Sequence, residues 1–171
     1  MPVSAVRIRQ IRPSDGPALE RFYAALSDES RALRFFAPRR GISREESRGF
    51  CATDHAHREG FVAVAPDLGN GENIVGHVCV EPAERGAVEL AVAVADAYQG
   101  LGIGRRLSVA AVNWARKRGF PAVTMTVLNH NAAMHSLVRA LGLPTRTRPA
   151  GCDATAITAP LAPTAAERHA A

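Results

Sequence analysis

The sequence predicts an α/β protein in which a mixed sheet carries helices on both faces. Apolar runs of strand length alternate along the chain with segments whose apolar residues recur at helical spacing. The apolar run Ala87–Ala95 leads through a glycine-rich turn directly into the amphipathic segment Ile103–Arg118. Strands and helices that alternate in this way pack as helices against a sheet. The 171 residues suit one domain with a single buried core, which we place at residues 1–161.

The first half of the chain predicts one strand followed by three helices. Val6–Arg12 alternates apolar and polar residues, as a half-buried strand does. Pro13–Asp15 is typical of a helix start, and a second short helix is predicted over Asp28–Phe36. Ser43–Glu46 has the sequence of a capping box, which begins a third helix that ends near Cys51.

The second half predicts five strands and two helices. The predicted strands are Phe61–Ala65, Ile74–Val80, Ala87–Ala95, Ala122–Leu128 and Thr155–Leu161. The predicted helices are Ile103–Arg118 and Asn131–Leu141, the latter closed by Gly142. A turn is predicted over Pro66–Gly71, and the tail 162–171, rich in alanine and proline, is expected to be disordered.

The run Tyr98–Arg106 (Y-Q-G-L-G-I-G-R-R) is the most informative stretch of the chain. Glycines at alternate positions lack Cβ atoms, so successive N–H groups can crowd around an anion. The helix that follows adds the positive end of its dipole at the same point. The run therefore predicts a site for a diphosphate.

Two common phosphate-binding motifs do not fit this run. A dinucleotide fingerprint, G-x-G-x-x-G, would need its third glycine where Arg105 or Leu107 stands. It would also need an acidic residue about 20 positions further on, and none occurs between Gln99 and Asp153. A Walker A loop ends in Gly-Lys-Ser/Thr, whereas Gly104 is followed by two arginines.

What remains is Q-x-x-G-x-G, formed by Gln99, Gly102 and Gly104, which resembles the pyrophosphate-binding signature of the GNAT acetyltransferases. The segment 129–131 (N-H-N), which follows an apolar strand, resembles the second strand–helix unit with which that family contacts coenzyme A. The block Leu26–Phe36 is similar to the bacterial protein lysine acetyltransferase (Pat) branch, whose members modify acyl-CoA synthetases.

The resemblance extends from Val6 to about Leu161 and implies a fold and a co-substrate. It implies acetyl-CoA as the acetyl donor and a mostly antiparallel sheet in which the two central strands splay apart. The pantetheine arm of acetyl-CoA would thread the gap between those strands. It further implies a bulge over Val92–Val94, since a bulge frees backbone N–H groups from the strand ladder.

The residues expected to bind acetyl-CoA form three groups. Backbone N–H groups of the glycine run should hold the pyrophosphate, in the segment Gln99, Gly100, Leu101, Gly102, Ile103, Gly104 and Arg105. Val92 and Val94 are expected to offer N–H groups to the thioester carbonyl and the pantetheine amides. Asn129 and Asn131 fit the cofactor side, although Asn131 could equally serve only as a helix cap. Both interpretations of Asn131 stay open.

Glu89 is the candidate general base. It lies in the strand that leads into the phosphate turn, and its apolar neighbours partly desolvate the carboxylate, which makes it a better proton acceptor. The lysine-acetylating branch is expected to use a glutamate at this place. The alternative is that Glu89 lies at a solvated strand start and only pairs with an arginine such as Arg85. Many GNAT enzymes place a tyrosine where Val138 stands, and that tyrosine protonates the leaving thiolate. The general acid is therefore unassigned here, and Ser136 and a water are the candidates.

Composition excludes several other classes of partner. The net charge of +5 could suggest nucleic acid, but the arginines are spread along the chain and rarely interleaved with aromatic residues, so no nucleic-acid partner is assigned. No stretch suits a membrane span. The histidines at 55, 57 and 77 lack partners at metal-ligand spacing, so no metal is assigned. Three widely spaced cysteines suit reduced thiols in a cytoplasmic protein.

The leading hypothesis is an acetyl-CoA-dependent N-acetyltransferase that acts on a protein lysine, and the resemblance to the Pat branch implies an acyl-CoA synthetase as the protein. In the resemblance to the Pat branch, the segment 27–36 forms one wall of the acceptor cleft. An alternative keeps the donor but takes a small-molecule amine as acceptor. A third possibility is a non-catalytic sensor that binds acyl-CoA.

Overall fold

The computed structural model describes residues 6–66 and 72–161. Most of the predicted turn over Pro66–Gly71 lies outside the described residues, as does the tail predicted to be disordered, 162–171. Within the described ranges, no helix is both long and apolar enough to cross a membrane.

One sheet of seven strands organises the described residues. Its strands are β1 (Arg7–Gln10), β2 (Glu59–Pro66), β3 (Glu72–Pro82), β4 (Val88–Val94), β5 (Ala122–Leu128), β6 (Arg146–Pro149) and β7 (Ala154–Pro160). They lie in the order β1-β2-β3-β4-β5-β7-β6. Every neighbouring pair is antiparallel except β4 and β5, which are parallel. The predicted mixed, mostly antiparallel sheet is confirmed.

The two central strands separate soon after they pair. β4 and β5 are in register only at Val88 with Val123 and Glu89 with Thr124. Beyond Glu89 the remaining residues of β4 have no partner on the β5 side. The sheet is therefore open along a gap, as the prediction of splayed central strands requires.

Among the described residues, five α-helices cover the two faces of the sheet. They are α1 (Gly16–Ala25), α2 (Asp28–Phe35), α3 (Arg44–Cys51), α4 (Ile103–Lys117) and α5 (Ala132–Ala140). Apolar residues of α1 and α3, such as Tyr23 and Cys51, pack in one buried cluster with Val62 of β2. Residues of α4 and α5, such as Leu107 and Val138, pack in a second cluster on the other face. The apolar sides of these amphipathic helices thus cover both faces of the sheet.

Side-chain caps fix where most of the helices begin. Ser27 accepts a hydrogen bond from the N–H of Ser30 at the start of α2. Ser43 and Glu46 form the predicted capping box at the start of α3. The side chain of Asn131 accepts from the N–H of Met134 at the start of α5. No side chain caps the N-terminus of α4, which follows the glycine run.

Strand β6 is absent from the sequence prediction. Its residues, R-T-R-P, are all exposed and contain no apolar alternation, so the periodicity that marks a half-buried strand is missing. β6 exists because it pairs along β7 at the edge of the sheet, from Arg146 opposite Thr158 to Pro149 opposite Thr155. A long-range pairing of this kind leaves no local signal in the sequence.

Candidate active site

A cavity of about 1120 Å³ lies where the central strands separate. Residues of α2, β4, α4 and α5 line it, together with the glycine run that joins β4 to α4. Of the predicted site residues, those that line it are Glu89, Val92, Val94, Gln99, Gly100, Gly102, Ile103, Gly104, Arg105 and Asn131. Leu101 and Asn129 are not part of its lining. The structure thus brings most of the predicted residues to one place.

The glycine run forms an open turn at the start of α4. Gly100 and Gly102 have φ of +73° and +77°, a conformation that L-residues with a side chain adopt only with strain. At neither glycine would an added Cβ meet another atom within 4 Å, so the backbone borders free space. Because no side chain caps α4, the first N–H groups of the helix point into that space without a partner from a cap. These features together form a site for an anion such as a pyrophosphate.

The side chains beside this turn have other partners. Gln99 Nε2 donates to Ser30 Oγ at 3.0 Å and to the carbonyl of Val94 at 3.2 Å. Arg105 Nε donates to the carbonyl of Ala140 at 3.1 Å. Leu101 is 43% exposed and does not line the cavity. The anion site therefore consists mainly of backbone N–H groups.

The prediction of a bulge over Val92–Val94 is wrong. β4 pairs with β3 in one unbroken register from Val88 opposite Pro82 to Val94 opposite Gly76. The register shift in this half of the sheet lies instead between Ala63 and Val64 of β2. β4 matches β3 residue for residue, so neither strand has the extra residue that a bulge requires.

The splay supplies the free N–H groups that the bulge was expected to supply. The N–H of Ala95 donates to the carbonyl of Val75, which fixes the hydrogen-bonding phase of this strand pair. In an antiparallel pair, alternate residues direct their N–H groups to the partner and the others direct theirs away. Val92 and Val94 are in the second set and face the gap towards β5, where the splay leaves no strand partner.

The two asparagines before α5 have different surroundings. Asn131 lines the cavity and also caps α5 through its Oδ1, which accepts from the N–H of Met134 at 3.0 Å. Asn129 Oδ1 accepts a hydrogen bond from Thr155 Oγ1 at 2.8 Å and so joins β5 to β7. The neighbouring His130 lies at the cavity lining, with its Nδ1 3.6 Å from a carboxylate oxygen of Asp153.

Glu89 lies half-buried on the cavity wall, at the point where β4 and β5 separate. Its Oε1 accepts a hydrogen bond from Thr126 Oγ1 of β5 at 2.9 Å. It forms no ion pair with Arg85 or with any other cation of the described residues. Its second carboxylate oxygen is therefore available to accept a proton from a group in the cavity.

A polar cluster lies where α2 and α1 pack against β3, and two of its members, Arg34 and Cys79, line the cavity. Arg34 Nη2 lies 3.2 Å from Cys79 Sγ, and Tyr23 Oη lies 2.9 Å from His77 Nδ1. Burial raises the pKa of Tyr23 to about 12 and lowers the pKa of His77 to about 3. Burial also raises the pKa of the Cys79 thiol. All three groups are therefore neutral near pH 7.

Hydrogen bonds also join α2 to the segment just before the glycine run. The carboxylate of Asp96 accepts from Ser27 N and Oγ at 2.9 and 2.7 Å, and from Ser30 Oγ at 2.7 Å. Two hydroxyls and one backbone N–H hold the pKa of Asp96 below its usual value despite the opposing effect of burial. These bonds fix α2, which forms one wall of the cavity, to the segment that precedes the glycine run.

Sequence reasoning gave no individual role to several polar residues of the cavity lining, among them Arg34 and Thr126. Thr126 had a weak signal, because the threonines of β5 alternate with fully buried residues and so mark the strand's other face. Arg34 lies in the segment 27–36 expected at the acceptor cleft, but its hydrogen-bond partner, Cys79, is 45 residues away in sequence. In the part of the chain that the structure describes, no group of three His, Cys, Asp or Glu side chains is placed to hold a metal ion.

Comparisons with known protein families and with curated proteins both match this chain to acetyltransferases. The model of the acetyltransferase (GNAT) family matches residues 19–143 of this chain. The chain is also 30% identical over 137 residues to acetyltransferase PA5475 of Pseudomonas aeruginosa, a match that covers 80% of this chain and 74% of that protein.

Solved structures show the same fold. The GNAT domain of S. lividans PAT superposes with a TM-score of 0.79 at 27% identity, over 91% of this chain and 90% of that domain. The yncA protein of Salmonella typhimurium, solved with acetyl-CoA, superposes with a TM-score of 0.73 at 20% identity, over 94% and 96% of the two chains. At that identity the second likeness shows the fold alone.

Proposed function

The chain belongs to the acetyltransferase (GNAT) family, and we propose that it transfers the acetyl group of acetyl-CoA to the side-chain amine of a lysine in another protein. The observation that carries the proposal is the uncapped start of α4 beside the gap between β4 and β5. This arrangement offers an anion site at one end of the cavity and a carboxylate, Glu89, at the other.

The donor would lie along the gap. The N–H groups of residues 102–105 and the positive end of the α4 dipole would bind its pyrophosphate. The N–H groups of Val92 and Val94 would bind the thioester carbonyl or the amides of the pantetheine arm. Asn131 lines the same side of the cavity. Acetyl-CoA supplies a thioester, which is already activated for attack by an amine.

Glu89 would act as the general base. A lysine amine is almost entirely protonated near neutral pH and has no lone pair in that form. We propose that Glu89, oriented by Thr126, takes this proton directly or through one water. The amine nitrogen then attacks the thioester carbonyl carbon and a C–N bond forms. As the C–S bond breaks, the nitrogen loses its second proton to water, and the sulfur leaves as a thiolate that takes a proton from water.

The acceptor class is inferred from α2. This helix and its cap, residues 27–36, resemble the segment of bacterial protein lysine acetyltransferases, and Ser30, Leu33 and Arg34 line the cavity. The likeness to the GNAT domain of S. lividans PAT points the same way. An acyl-CoA synthetase is the class of protein acceptor that we propose. The free thiols of Cys51, Cys79 and Cys152 suit a cytoplasmic enzyme.

The test is an acetylation assay with purified protein. The protein is incubated with acetyl-CoA and either an acyl-CoA synthetase or a panel of small amines, and both thiol release and the site of the acetyl group are measured. Acetyl-lysine on the synthetase supports the proposal. Transfer only to a small amine would identify the acceptor class as wrong, and the absence of thiol release with every acceptor would contradict transferase activity altogether.

A further inference from the structure

The guanidinium of Arg34 forms no ion pair with a carboxylate within the structure described. Its Nη2 donates to the neutral thiol of Cys79, and its Cζ lies 4.9 and 5.9 Å from the ring centroids of Phe35 and Phe50. Its Nε is shielded from water and, among residues 6–66 and 72–161, has no hydrogen-bond partner. A guanidinium has five N–H donors in a planar fork, so most of its donor capacity is unused.

The other charged groups on this wall already have partners. Among the carboxylates that line the cavity without being exposed, Glu46 accepts a pair of bonds from Arg39, at 2.8 and 2.7 Å. Glu81 accepts from Arg58 at 2.6 and 2.8 Å. Glu89 accepts from Thr126. Glu46 and Glu81 are therefore paired with other arginines, Glu89 attracts Arg34 without forming an ion pair, and Glu29 is exposed to solvent.

Arg34 lies on the same face of β4 as Glu89. Cys79, its hydrogen-bond partner, stands directly opposite Ala91 in the β3–β4 pair. Directly opposite residues share a face of the sheet, and Glu89 and Ala91 share one because they are two residues apart. The guanidinium is therefore displaced from Glu89 by roughly 7 Å along the strand. A molecule whose amine reaches Glu89 would also extend over Arg34.

Burial opposes the charge of Arg34, and Glu89 attracts this charge without forming an ion pair with it. Tyr23 and Cys79 supply no negative charge, because burial keeps both protonated near pH 7. A carboxylate matches the guanidinium fork with two parallel hydrogen bonds, which are stronger than bonds between neutral groups. The unused donors and the position beside Glu89 together favour an anionic group on the substrate.

We propose that Arg34 is a specificity-determining residue that binds a carboxylate carried by the acetyl acceptor next to its reacting amine. This inference rests on the proposed function, because it takes Glu89 as the place where the amine is deprotonated. In a protein acceptor the carboxylate would be an acidic residue that flanks the lysine. In a free amino acid it would be the α-carboxylate, and the chemistry that Arg34 recognises would be the same.

The test compares acceptors that differ only in this charge. One pair is a lysine peptide with glutamate next to the lysine and the same peptide with glutamine there. A second pair is free lysine and lysinamide. We expect the wild-type protein to prefer the carboxylate in at least one pair by roughly ten- to hundred-fold in kcat/KM, the range for a charged hydrogen bond. The pair that shows the preference identifies the source of the carboxylate.

Variants then assign the preference to Arg34. Arg34→Gln should bring the ratio of the two kcat/KM values close to one, and Arg34→Lys should restore part of it, because the charge is kept without the fork. Arg40→Gln, which alters an exposed arginine outside the cavity lining, should keep the wild-type ratio. The affinity for coenzyme A, measured by calorimetry, should be the same in all of these variants.

Three outcomes would overturn the inference. A wild-type ratio near one, or a ratio that Arg34→Gln leaves unchanged, would show that Arg34 binds no acceptor carboxylate. An unchanged ratio with an equal loss for both members of a pair would indicate a merely structural role. A preference of the wild type for succinyl-CoA over acetyl-CoA that Arg34→Gln abolishes would place the carboxylate on the donor. Absence of transfer to every acceptor would instead contradict the proposed function, on which the inference depends.

Discussion

Single residues at the separation of the central strands determine the chemistry that the site can support. Glu89 is the last residue of β4 that still has a partner on β5. Across the gap, Thr126 of β5 donates a hydrogen bond to its carboxylate and holds it in place. A residue two positions further along β4 would lie beside the gap with no such support. The position of the base and the position of the thioester are therefore both set by where two strands stop pairing.

Replacing Glu89 tests its assigned role. Glu89→Gln keeps the size of the side chain and its ability to accept from Thr126, but it removes the proton acceptor. We expect kcat to fall by about 10²–10⁴-fold with the affinity for coenzyme A unchanged. Steady-state kinetics and calorimetric titration measure the two quantities. Glu84→Gln, a change at an exposed glutamate in the same region of the chain, is the control and should have normal kinetics.

His77 predicts how stability depends on pH. It is fully buried and neutral, and burial lowers its pKa to about 3, whereas a histidine in an unfolded chain has a pKa near 6.5. Below pH 6.5 the unfolded chain binds a proton that the folded protein does not, so stability is lost as the pH falls. The loss between pH 7.5 and 5.5 should be about 1.4 kcal/mol from this group alone.

Urea unfolding at the two pH values measures that loss. His77→Gln retains an acceptor for Tyr23 and should show a smaller fall in the free energy of unfolding between pH 7.5 and 5.5, whatever its absolute stability. His57→Gln changes an exposed histidine and should keep the wild-type fall. Equal falls in the wild type and His77→Gln would contradict the account of His77.

At the level of elements, the joint between β4 and α4 combines a strand end, a glycine turn and an uncapped helix. The N–H groups at the start of a helix need partners, and three of the other helices obtain them from Ser27, Ser43 and Asn131. At α4 the cap position is occupied by Gly102, which has no side chain to offer. The absence of a protein cap is what leaves the helix N-terminus free for a phosphate.

Gly102 and Gly119 provide a matched test of this joint. Both have φ of +77°, and at both an added Cβ would meet nothing within 4 Å, so the backbone strain of a substitution is similar. Gly102→Val should weaken binding of coenzyme A at least about tenfold, because the new side chain occupies the space next to the helix N–H groups. Gly119→Val, at the other end of α4, should lose stability but keep the affinity. Equal affinities in calorimetric titrations of the two variants would refute the phosphate site.

The elements that sequence patterns predicted are those whose stability is local. The bounds predicted for β5, Ala122–Leu128, coincide with those observed, because alternation and flanking turn residues mark this strand on their own. The capping box of α3 was equally readable. β6 and the unbroken register of β4 were not, because each depends on a partner strand distant in sequence.

The same division holds for the site. The glycine run could be interpreted from the chain alone because its residues are consecutive. Arg34 gained no significance from its neighbours in sequence, since its relation to Cys79 and to the face of Glu89 exists only once α2 packs against the sheet. Charges left without partners after folding are visible only in three dimensions.

At the level of the whole molecule, two apolar clusters on opposite faces hold one sheet that is open along its centre. The clusters include residues of β2 and β3 on both faces, whereas beyond Glu89 the gap between β4 and β5 is bridged by no backbone pairing. The packed clusters therefore position the cavity walls, and the cavity exists because the sheet does not close.

The position of the lysine predicts little self-acetylation. Lys117 is the only lysine of the chain, and it is exposed at the C-terminal end of α4. At 1.5 Å per residue, the length of α4 puts it roughly 20 Å from the anion site at the other end of the helix. Mass spectrometry after incubation with acetyl-CoA should find Lys117 largely unmodified. Rapid acetylation of Lys117 at enzyme concentrations in the micromolar range would contradict the placement of the acceptor cleft.

The most direct measurement is a crystal structure of the protein with coenzyme A. The account predicts the pyrophosphate at the start of α4, within about 2.7–3.2 Å of the backbone nitrogens of residues 102–105, and the pantetheine arm between β4 and β5 with its sulfur near Glu89. A structure in which coenzyme A lies elsewhere on the protein, with the gap between the two strands empty, would contradict it.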